Sequence, residues 1–202
     1  MIVHDVDQGS PDWFKARAGI PTASEFSTVL AKGEGKTRKS YMYRLAGEII
    51  TGSPAETYSN HHMERGKVME DEARAMYAFM EDVEPQRVGF ITLDDKTAGA
   101  SPDSLINPAG GLEVKTKLPA LLIECIVRGE LPPEHKAQVQ GNIWISEREW
   151  WDFFAYWPNM PPFLIRVPRD DGYIANLIGE VRRFNDELAA LVDRVRRYGE
   201  AA

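Results

Sequence analysis

The spacing of apolar residues changes twice along this 202-residue chain, and this change limits its possible folds more than any other feature. Between His61 and Met80 apolar side chains recur every three or four residues, as on the core-facing side of a helix. After Pro85 the apolar runs become short and are separated by turn residues, which indicates strands. From Ile174 to Val195 the helical spacing returns and predicts a long amphipathic C-terminal helix. The expected class is therefore α/β (α+β), with a small, mixed central sheet flanked by helices.

Local signals divide this outline into elements. Ser10 and Pro11 predict the start of a helix, and Gly19 predicts its end. Residues 22–25 have the spacing of a capping box and should open a second helix that stops near residues 33–35. Further helices are expected over about 39–50 and 133–146. Strands are expected at 88–91, 98–101 and 111–115, as adjacent antiparallel neighbours, and at 150–157 and 163–167.

Length and composition favour one domain over residues 1–202, because 43% hydrophobic content is enough for a single core. No stretch approaches the ~20 apolar residues of a membrane span, and the N-terminus lacks the basic-then-apolar pattern of a signal peptide. We therefore expect a cytoplasmic protein without a membrane partner. The single cysteine, Cys125, lies in an apolar run, where a packed thiol is favoured over a reactive one.

The net charge of −7 has the wrong sign for a protein that attracts nucleic acid over its whole surface. The segment from Asp12 to Arg44 nevertheless carries +4, which leaves −11 on the rest of the chain. Its basic side chains are Lys15, Arg17, Lys32, Lys36, Arg38, Lys39 and Arg44. This segment is either a solvated charged loop or a local phosphate-binding surface on an otherwise repelling body.

The motif that carries chemistry is Glu113-Val114-Lys115, in a strand-like run. Side chains alternate across a strand, so the carboxylate and the ammonium share one face while Val114 turns into the core. A tight turn at residues 107–111 would bring Asp103 beside Glu113 on the neighbouring strand. Two converging carboxylates repel each other, and a hard cation such as Mg²⁺ bound between them removes that cost. The alternative is an exposed hairpin with an ordinary Glu–Lys pair.

The wider sequence resembles the PD-(D/E)xK nuclease superfamily, whose signature is matched by Asp103, Glu113 and Lys115, with Glu70 on an upstream helix. Within this superfamily, five segments in order resemble the phage lambda exonuclease, or YqaJ-type viral recombinase, family. They are residues 13–25, 66–70, 99–103, 111–115 and 137–140. The resemblance covers about residues 8–157 and implies a restriction-endonuclease-like core.

The resemblance implies roles for the residues that match. Asp103 and Glu113 would bind two Mg²⁺ ions, for which Mn²⁺ could substitute. The carbonyl of Val114 would assist them, and so would Glu70, acting through water. Lys115 would face the attacking water and orient it near the scissile phosphate.

Further matches imply that the site binds a DNA end. Arg17 and Ser24 match the family positions that hold the terminal 5′-phosphate; otherwise Arg17 is a surface arginine on a short helix. The implied role suits their chemistry, because a guanidinium binds phosphate bidentately and Ser24 lies near a helix N-terminus. Ser101 either donates to the same phosphate or caps a turn. Gln138 would hold a water or a phosphate oxygen beside the carboxylates, and otherwise it is an amide on the surface of a helix.

At the periphery of the implied site, Lys36 and Arg38 belong to the basic segment and would contact the DNA backbone. Met63 falls where the family has a hydrophobic wedge that separates the strands; otherwise it packs in the core. Two positions depart from the family pattern: His135 replaces a tyrosine and Leu121 replaces a basic residue. These departures leave the cutting chemistry intact and bear on how the DNA end is bound.

The activity implied by the resemblance is Mg²⁺-dependent 5′-to-3′ digestion of one strand of linear double-stranded DNA to mononucleotides. The remaining 3′ single strand would serve recombination through a single-strand annealing protein. The family also implies a ring-shaped homotrimer with a basic lining and an acidic exterior, from a phage or prophage and acting in the bacterial cytoplasm. Two alternatives remain: a structure-specific endonuclease or DNA-repair nuclease on the same core, and a non-catalytic DNA-binding assembly subunit.

Overall fold

The computed structural model describes residues 1–31, 35–55 and 61–199, and the side chains of residues 61–68 lie outside this description. The helices are α1 (Pro11–Arg17), α2 (Phe26–Leu30), α3 (Lys36–Thr51), α4 (His61–Glu81), α5 (Pro119–Arg128), α6 (Pro133–Ile145) and α7 (Asp171–Arg196). The strands are β1 (Ile2–His4), β2 (Phe90–Thr92), β3 (Gly99–Ala100), β4 (Ser104–Ile106), β5 (Gly110–Thr116), β6 (Trp150–Tyr156) and β7 (Phe163–Pro168). A 3-10 turn, Ala23–Glu25, precedes α2.

The strands form two small sheets. The first has the order β1-β2-β3 and is antiparallel throughout. The second has the order β4-β5-β6-β7 and is mixed, because β5 pairs antiparallel with β4 and parallel with β6. A parallel pair needs a crossover connection, which α5 and α6 provide between β5 and β6. The prediction of a mixed α/β fold with a small sheet flanked by helices is confirmed.

The mixed sheet lies between two apolar layers. One face packs against α4 in a buried cluster that includes Tyr77, Val114 and Phe154. The opposite face contributes Trp151 and Phe153 to a larger core that is shared with α2, α3, α6 and α7. Alternate residues of β5 and β6 thus enter different layers, as the two-residue period of a strand requires.

A short turn joins β4 to β5, as the sequence predicted. Asn107 has a left-handed φ of 47°, and its side-chain Oδ1 accepts a hydrogen bond of 2.8 Å from the backbone N of Ala109. Gly110 then opens β5 directly beside the indole of Trp150. A Cβ at Gly110 would lie 2.2 Å from that ring, so only glycine lets β6 approach β5 this closely here.

Two predictions about secondary structure were wrong. Strands near residues 88–91, 98–101 and 111–115 are not all neighbours: the first two lie in the three-stranded sheet and the third in the mixed sheet. β1 is the outer partner of β2, and this pairing joins residues far apart in the sequence. The capping box at Thr22 is absent, because its hydroxyl contacts Arg17 and Ser24 instead of capping a helix. A 3-10 turn forms there, and α2 ends already at Leu30.

The two predicted long helices are confirmed as α4 and α7, while α5 was not predicted. On α4, Met76 and Met80 are exposed, although they were expected in the core stripe, because α4 buries only the side that faces the mixed sheet. Cys125 on α5 is buried, and burial raises the pKa of its thiol, so the prediction of a packed cysteine is confirmed. In the described ranges, no helix combines the length and the apolar character needed to cross a membrane.

Candidate active site

The mixed sheet brings the predicted acidic pair and the lysine together. Asp103 directly precedes β4, whose antiparallel register with β5 places it opposite Glu113. The Oδ2 atom of Asp103 accepts a hydrogen bond of 2.6 Å from the backbone N of Val114. Two residues along β5 from Glu113, the Nζ atom of Lys115 lies 2.6 Å from Glu113 Oε1. Val114 points to the other face, as predicted, and packs under α4.

Helix α6 supplies hydrogen-bond donors to the carboxylate of Glu113. Glu113 is only 2% exposed, so its carboxylate needs partners within the protein. Gln138 Nε2 donates to Oε1 at 2.7 Å, and Asn142 Nδ2 donates to Oε2 at 3.0 Å. Gln138 and Asn142 are four residues apart and therefore share one face of α6. Each carboxylate oxygen thus has an amide donor, which offsets the cost of burying the charge.

The site concentrates negative charge. Withdrawal from water and the neighbouring carboxylate of Glu113 raise the pKa of Asp103 well above its usual range, and Glu70 adds to this while Lys115 opposes it. Burial lowers the pKa of Lys115, but the carboxylates of Glu113 and Asp103 outweigh burial, and the net pKa is raised. Lys115 is therefore an ammonium at neutral pH, and one ammonium does not fully compensate the acidic pair.

This donor set fits a hard divalent cation. The carboxylates of Asp103 and Glu113, together with the backbone carbonyl of Val114, are oxygen ligands of the kind that Mg²⁺ prefers. Burial and the neighbouring carboxylate of Glu113 raise the pKa of Asp103, and a bound cation would oppose this shift by stabilising the charged carboxylate. Across the described residues, no third acidic, histidine or cysteine side chain joins this pair in a metal-binding cluster.

Glu70 approaches the pair from α4 and is itself engaged by an arginine. Arg74 Nη2 donates to Glu70 Oε1 at 2.5 Å, one helical turn away. The Glu70 side chain is 33% exposed, and its charge contributes to the raised pKa of Asp103. Glu70 therefore lies at the edge of the site, a position compatible with a contact through water.

A second polar cluster forms around Ser101. Arg17 Nη1 donates to Ser101 Oγ at 2.7 Å, and Trp13 Nε1 donates to the same oxygen at 3.0 Å. The guanidinium of Arg17 also lies over the Trp13 ring, 4.1 Å from its centroid. Arg17 Nη2 is 3.4 Å from Thr22 Oγ1, which is 3.3 Å from Ser24 Oγ. The fold thus joins Arg17, Ser24 and Ser101 in one cluster.

This Arg17 cluster can hold an anion beside the acidic pair. Ser101 is two residues before Asp103, so the two sites are adjacent along the chain. Burial lowers the pKa of Arg17 to about 10, and the guanidinium therefore still carries its charge at neutral pH. A partly desolvated guanidinium with hydroxyl groups beside it is suited to binding a phosphate.

The other residues that were predicted to contact DNA lie outside these two clusters. Lys36 is exposed in the first turn of α3. Arg38 is drawn towards α7: its Nη1 lies 2.6 Å from Glu187 Oε2, and its guanidinium lies 5.1 Å from the Phe184 ring centroid. Arg38 therefore contributes to helix packing. Met63 belongs to α4, but its side chain falls outside the described residues, so its role as a wedge stays a prediction.

The two departures from the family pattern also have a structural setting. The His135 ring packs on Phe153 with centroids 4.9 Å apart, and its Nε2 accepts from Lys117 Nζ at 2.9 Å. Burial, Lys117 and Lys115 lower the pKa of His135 to about 4, so the ring is neutral at pH 7. Leu121 is 47% exposed on α5. The two positions that depart from the family pattern are therefore a neutral imidazole, His135, and an exposed apolar side chain, Leu121.

Four residues to which sequence reasoning gave no role in the site belong to these clusters: Trp13, Thr22, Arg74 and Asn142. Helical spacing could have identified three of them. Trp13 lies four residues before Arg17, and Arg74 and Asn142 lie four residues after Glu70 and Gln138. No helical spacing links Thr22 to the site, because its contacts depend on how the 3-10 turn packs.

Solved structures of exonucleases share this fold. The alkaline exonuclease LHK-Exo from Laribacter hongkongensis superposes with a TM-score of 0.86 at 33% sequence identity, over 95% of this chain and 98% of that chain. Its complex with dAMP gives a TM-score of 0.87 with the same identity and coverage. A phage-related exonuclease from Haemophilus somnus 129PT has the same fold, with a TM-score of 0.64 at 12% identity, over 87% of this chain and 96% of that chain.

Sequence comparison agrees with the structural comparison. Among curated proteins, none is significantly similar to this chain. The sequence profile of the YqaJ-like viral recombinase domain matches residues 12–149, a range that contains both the acidic pair and the Arg17 cluster. The fold is that of a PD-(D/E)xK nuclease, and the resemblance that the motifs indicated is confirmed. Because this match spans more than half of the sequence, the chain belongs to the YqaJ-like viral recombinase family.

Proposed function

We propose that this chain is a Mg²⁺-dependent 5′-to-3′ exodeoxyribonuclease that digests one strand of linear duplex DNA to mononucleotides. The observation that carries the proposal is the adjacency of the Asp103–Glu113–Lys115 site and the Arg17 cluster, joined through Ser101. The 33% identical relative is named as an alkaline exonuclease, and its complex with dAMP contains a deoxynucleoside monophosphate. A molecule of this class is the product that the proposed reaction releases.

The residues of the acidic site would divide the work of hydrolysis. Asp103, Glu113 and the carbonyl of Val114 would hold Mg²⁺, which supplies Lewis-acid stabilisation of the charge that develops on the phosphate. Lys115, as an ammonium, would donate hydrogen bonds to the attacking water and to a phosphate oxygen. Gln138 would keep Glu113 in place through its hydrogen bond of 2.7 Å.

The Arg17 cluster would explain why digestion begins at an end. A guanidinium and nearby hydroxyl groups would anchor the terminal 5′-phosphate beside the acidic pair. An enzyme that anchors a terminal phosphate cuts at a fixed distance from that end, whereas an open cleft would also cut internal bonds.

The first experiment incubates end-labelled linear duplex with the purified chain, with and without Mg²⁺. We expect mononucleotides to be released from the 5′ ends only in Mg²⁺, and covalently closed circular DNA to stay intact. Lys115→Ala should abolish digestion, while Lys136→Ala should digest normally, because Lys136 forms a surface ion pair with Asp170.

The outcomes separate the alternatives. Cutting of the closed circle would favour an endonuclease or repair nuclease on the same core. DNA binding without cleavage in Mg²⁺ would favour a non-catalytic subunit. Unchanged digestion by Lys115→Ala would contradict the proposed chemistry, whatever the substrate.

The anchoring of the 5′ end has its own test. Linear DNA with a 5′-hydroxyl should be digested more slowly than its 5′-phosphorylated counterpart. Arg17→Ala should reduce the difference in digestion rate between the two DNA substrates. Arg183→Ala should leave that difference unchanged, because Arg183 pairs with Glu180 on the surface of α7. Equal narrowing by both variants would contradict a specific role for Arg17.

We also propose that the chain forms a ring-shaped homotrimer. In recombination, this trimer would act together with a single-strand annealing protein. A ring with a basic lining would reconcile DNA binding with the net charge of −7. Sedimentation equilibrium should give three times the chain mass of 22.8 kDa. A monomeric mass under conditions of full activity would exclude the ring.

A further inference from the structure

Arg74 of α4 is a buried arginine at the centre of a polar network between α4 and the start of β4. It is 8% exposed. Its Nη2 lies 2.5 Å from Glu70 Oε1, and its Nη1 lies 2.8 Å from Asp71 Oδ1. On the other side, its Nε donates to Ser104 Oγ at 3.0 Å, and Nη2 lies 3.4 Å from the carbonyl oxygen of Asp103. One guanidinium therefore joins two acids of α4 to the backbone that carries Asp103.

Ser104 strengthens the link to Asp103. Ser104 is fully buried, and its Oγ donates to the carbonyl of Asp103 at 2.5 Å while it accepts from Arg74. The peptide after Asp103 is thus held by Arg74 both directly and through this hydroxyl. Because this peptide sets the direction in which the Asp103 side chain leaves the backbone, the network fixes where the carboxylate meets β5.

Arg74 also acts on the charge at the edge of the site. Glu70 is close enough to Asp103 to contribute to its raised pKa. The ion pair with Arg74 keeps Glu70 beside the site and offsets part of its repulsion with Asp103. Without the arginine, Glu70 would be free to turn to solvent, since its side chain is already 33% exposed.

We propose that Arg74 is a positioning residue of the nuclease site: it holds Glu70 and the Asp103–Ser104 peptide in the arrangement that binds the divalent cation. This inference rests on the proposed function, because it assigns a task to Arg74 within the same site. An arginine that only fastened α4 to β4 would change stability and leave the affinity for the cation unchanged.

Arg87 offers a matched control. It pairs with the same carboxylate of Asp71, with Nη2 2.5 Å from Oδ1, but its side chain is 66% exposed. Arg87→Gln therefore removes a pair with Asp71 and leaves the links of Arg74 to Glu70 and Ser104 in place. Arg74→Lys is the conservative variant, since an ammonium keeps the charge but lacks the planar fork that reaches both sides of the network.

The experiment measures Mn²⁺ binding to the full chain by titration calorimetry, together with thermal unfolding in EDTA. Loss of an outer partner of a metal site weakens affinity by about 10- to 100-fold, and we expect this range for Arg74→Gln. Arg74→Lys should recover part of the loss, and Arg87→Gln should stay within about twofold of wild type. Ser104→Ala, which keeps the ion pairs of Arg74, provides a second route should Arg74→Gln fail to fold, and it should also weaken Mn²⁺ binding.

Kinetics of DNA digestion in Mg²⁺ complete the test. At saturating Mg²⁺, Arg74→Lys should lower kcat with little change in KM for DNA, because the Arg17 cluster is untouched. Folded Arg74 and Ser104 variants that bind Mn²⁺ as tightly as wild type would overturn the inference while leaving the proposed function standing. A wild-type chain that binds Mn²⁺ yet digests no DNA would instead contradict the proposed function alone.

Discussion

Replacement of Asn142 by aspartate is a direct test of how the fold stabilises the charge of Glu113. Asn142 is 1% exposed, and its Nδ2 donates to Glu113 Oε2 at 3.0 Å. Asn142→Asp replaces one NH₂ group by an oxygen, so the side chain keeps its shape while a donor becomes a negative charge. Packing is therefore held constant, and the change in stability reports on electrostatics.

The expected destabilisation of Asn142→Asp follows from the distance between residue 142 and the carboxylate of Glu113. Two unit charges 3.0 Å apart repel by about 5.5 kcal/mol at an effective dielectric constant of about 20. Protonation of the introduced carboxyl costs less, at about 1.4 kcal/mol for each pH unit above its ordinary pKa of about 3.9. The expected destabilisation is therefore about 4 kcal/mol at pH 7 and about 1.5 kcal/mol at pH 5. Once protonated, the carboxyl can donate to Glu113 in place of the lost amide.

The sign of the pH dependence follows from the same reasoning. The pKa of the introduced carboxyl is raised in the folded chain, so the folded state holds a proton that the unfolded state releases. The variant should therefore approach wild-type stability near pH 4 and lose it steadily as the pH rises to 7.

Urea denaturation in EDTA at pH 5 and pH 7 measures this effect, with EDTA present because a bound cation would mask the repulsion. Asn159→Asp is the control: Asn159 is exposed with φ 61°, a left-handed conformation that aspartate also tolerates. The control should change the free energy of unfolding by no more than about 0.5 kcal/mol. Equal destabilisation of Asn142→Asp at both pH values, or none beyond the control, would refute the reasoning.

Three other predictions concern the surrounding fold. Tyr77→Phe removes the hydroxyl that donates to the buried carboxylate of Asp152 at 2.7 Å, and should lower the free energy of unfolding by about 1.5–3 kcal/mol in urea at pH 7; an unchanged midpoint would contradict it. Gly19→Ala should cost more than about 1 kcal/mol in the same assay, because Gly19 has a φ of 75° and its Cβ would lie 2.6 Å from Ile49 Cγ1. The pKa of His135 is lowered to about 4, so NMR titration should find a neutral His135 ring at pH 5. Between about pH 6.5 and pH 4 the unfolded chain protonates His135 while the folded chain does not. His135 therefore destabilises the fold as the pH falls through this range.

Sequence reasoning succeeded where structure depends on neighbours in the chain. The lengths of α4 and α7 follow from helical periodicity, and the β4–β5 turn follows from its Asn and Gly residues. It failed where distant segments pair. The partner of β2 is β1, more than 80 residues away. Sequence reasoning also failed at Thr22, whose hydroxyl contacts Arg17 and Ser24 instead of capping a helix. No local signal distinguishes these outcomes from the ones that were expected.

The sequence by itself determined which side chains of the acidic site share a face. Strand alternation puts Glu113 and Lys115 on one side of β5 and Val114 on the other, and the short turn puts Asp103 opposite Glu113. These relations depend on backbone geometry over a dozen residues.

Only the tertiary structure decided what surrounds that site. It placed Gln138 and Asn142 against Glu113, tied Arg74 to Ser104, and brought Arg17 to Ser101 across 84 positions of sequence. Such contacts depend on how helices pack on both faces of the sheet, because buried charges must find partners wherever the chain brings donors within reach. That requirement acts on the folded chain as a whole, so a local stretch of sequence does not specify which partner each buried charge finds.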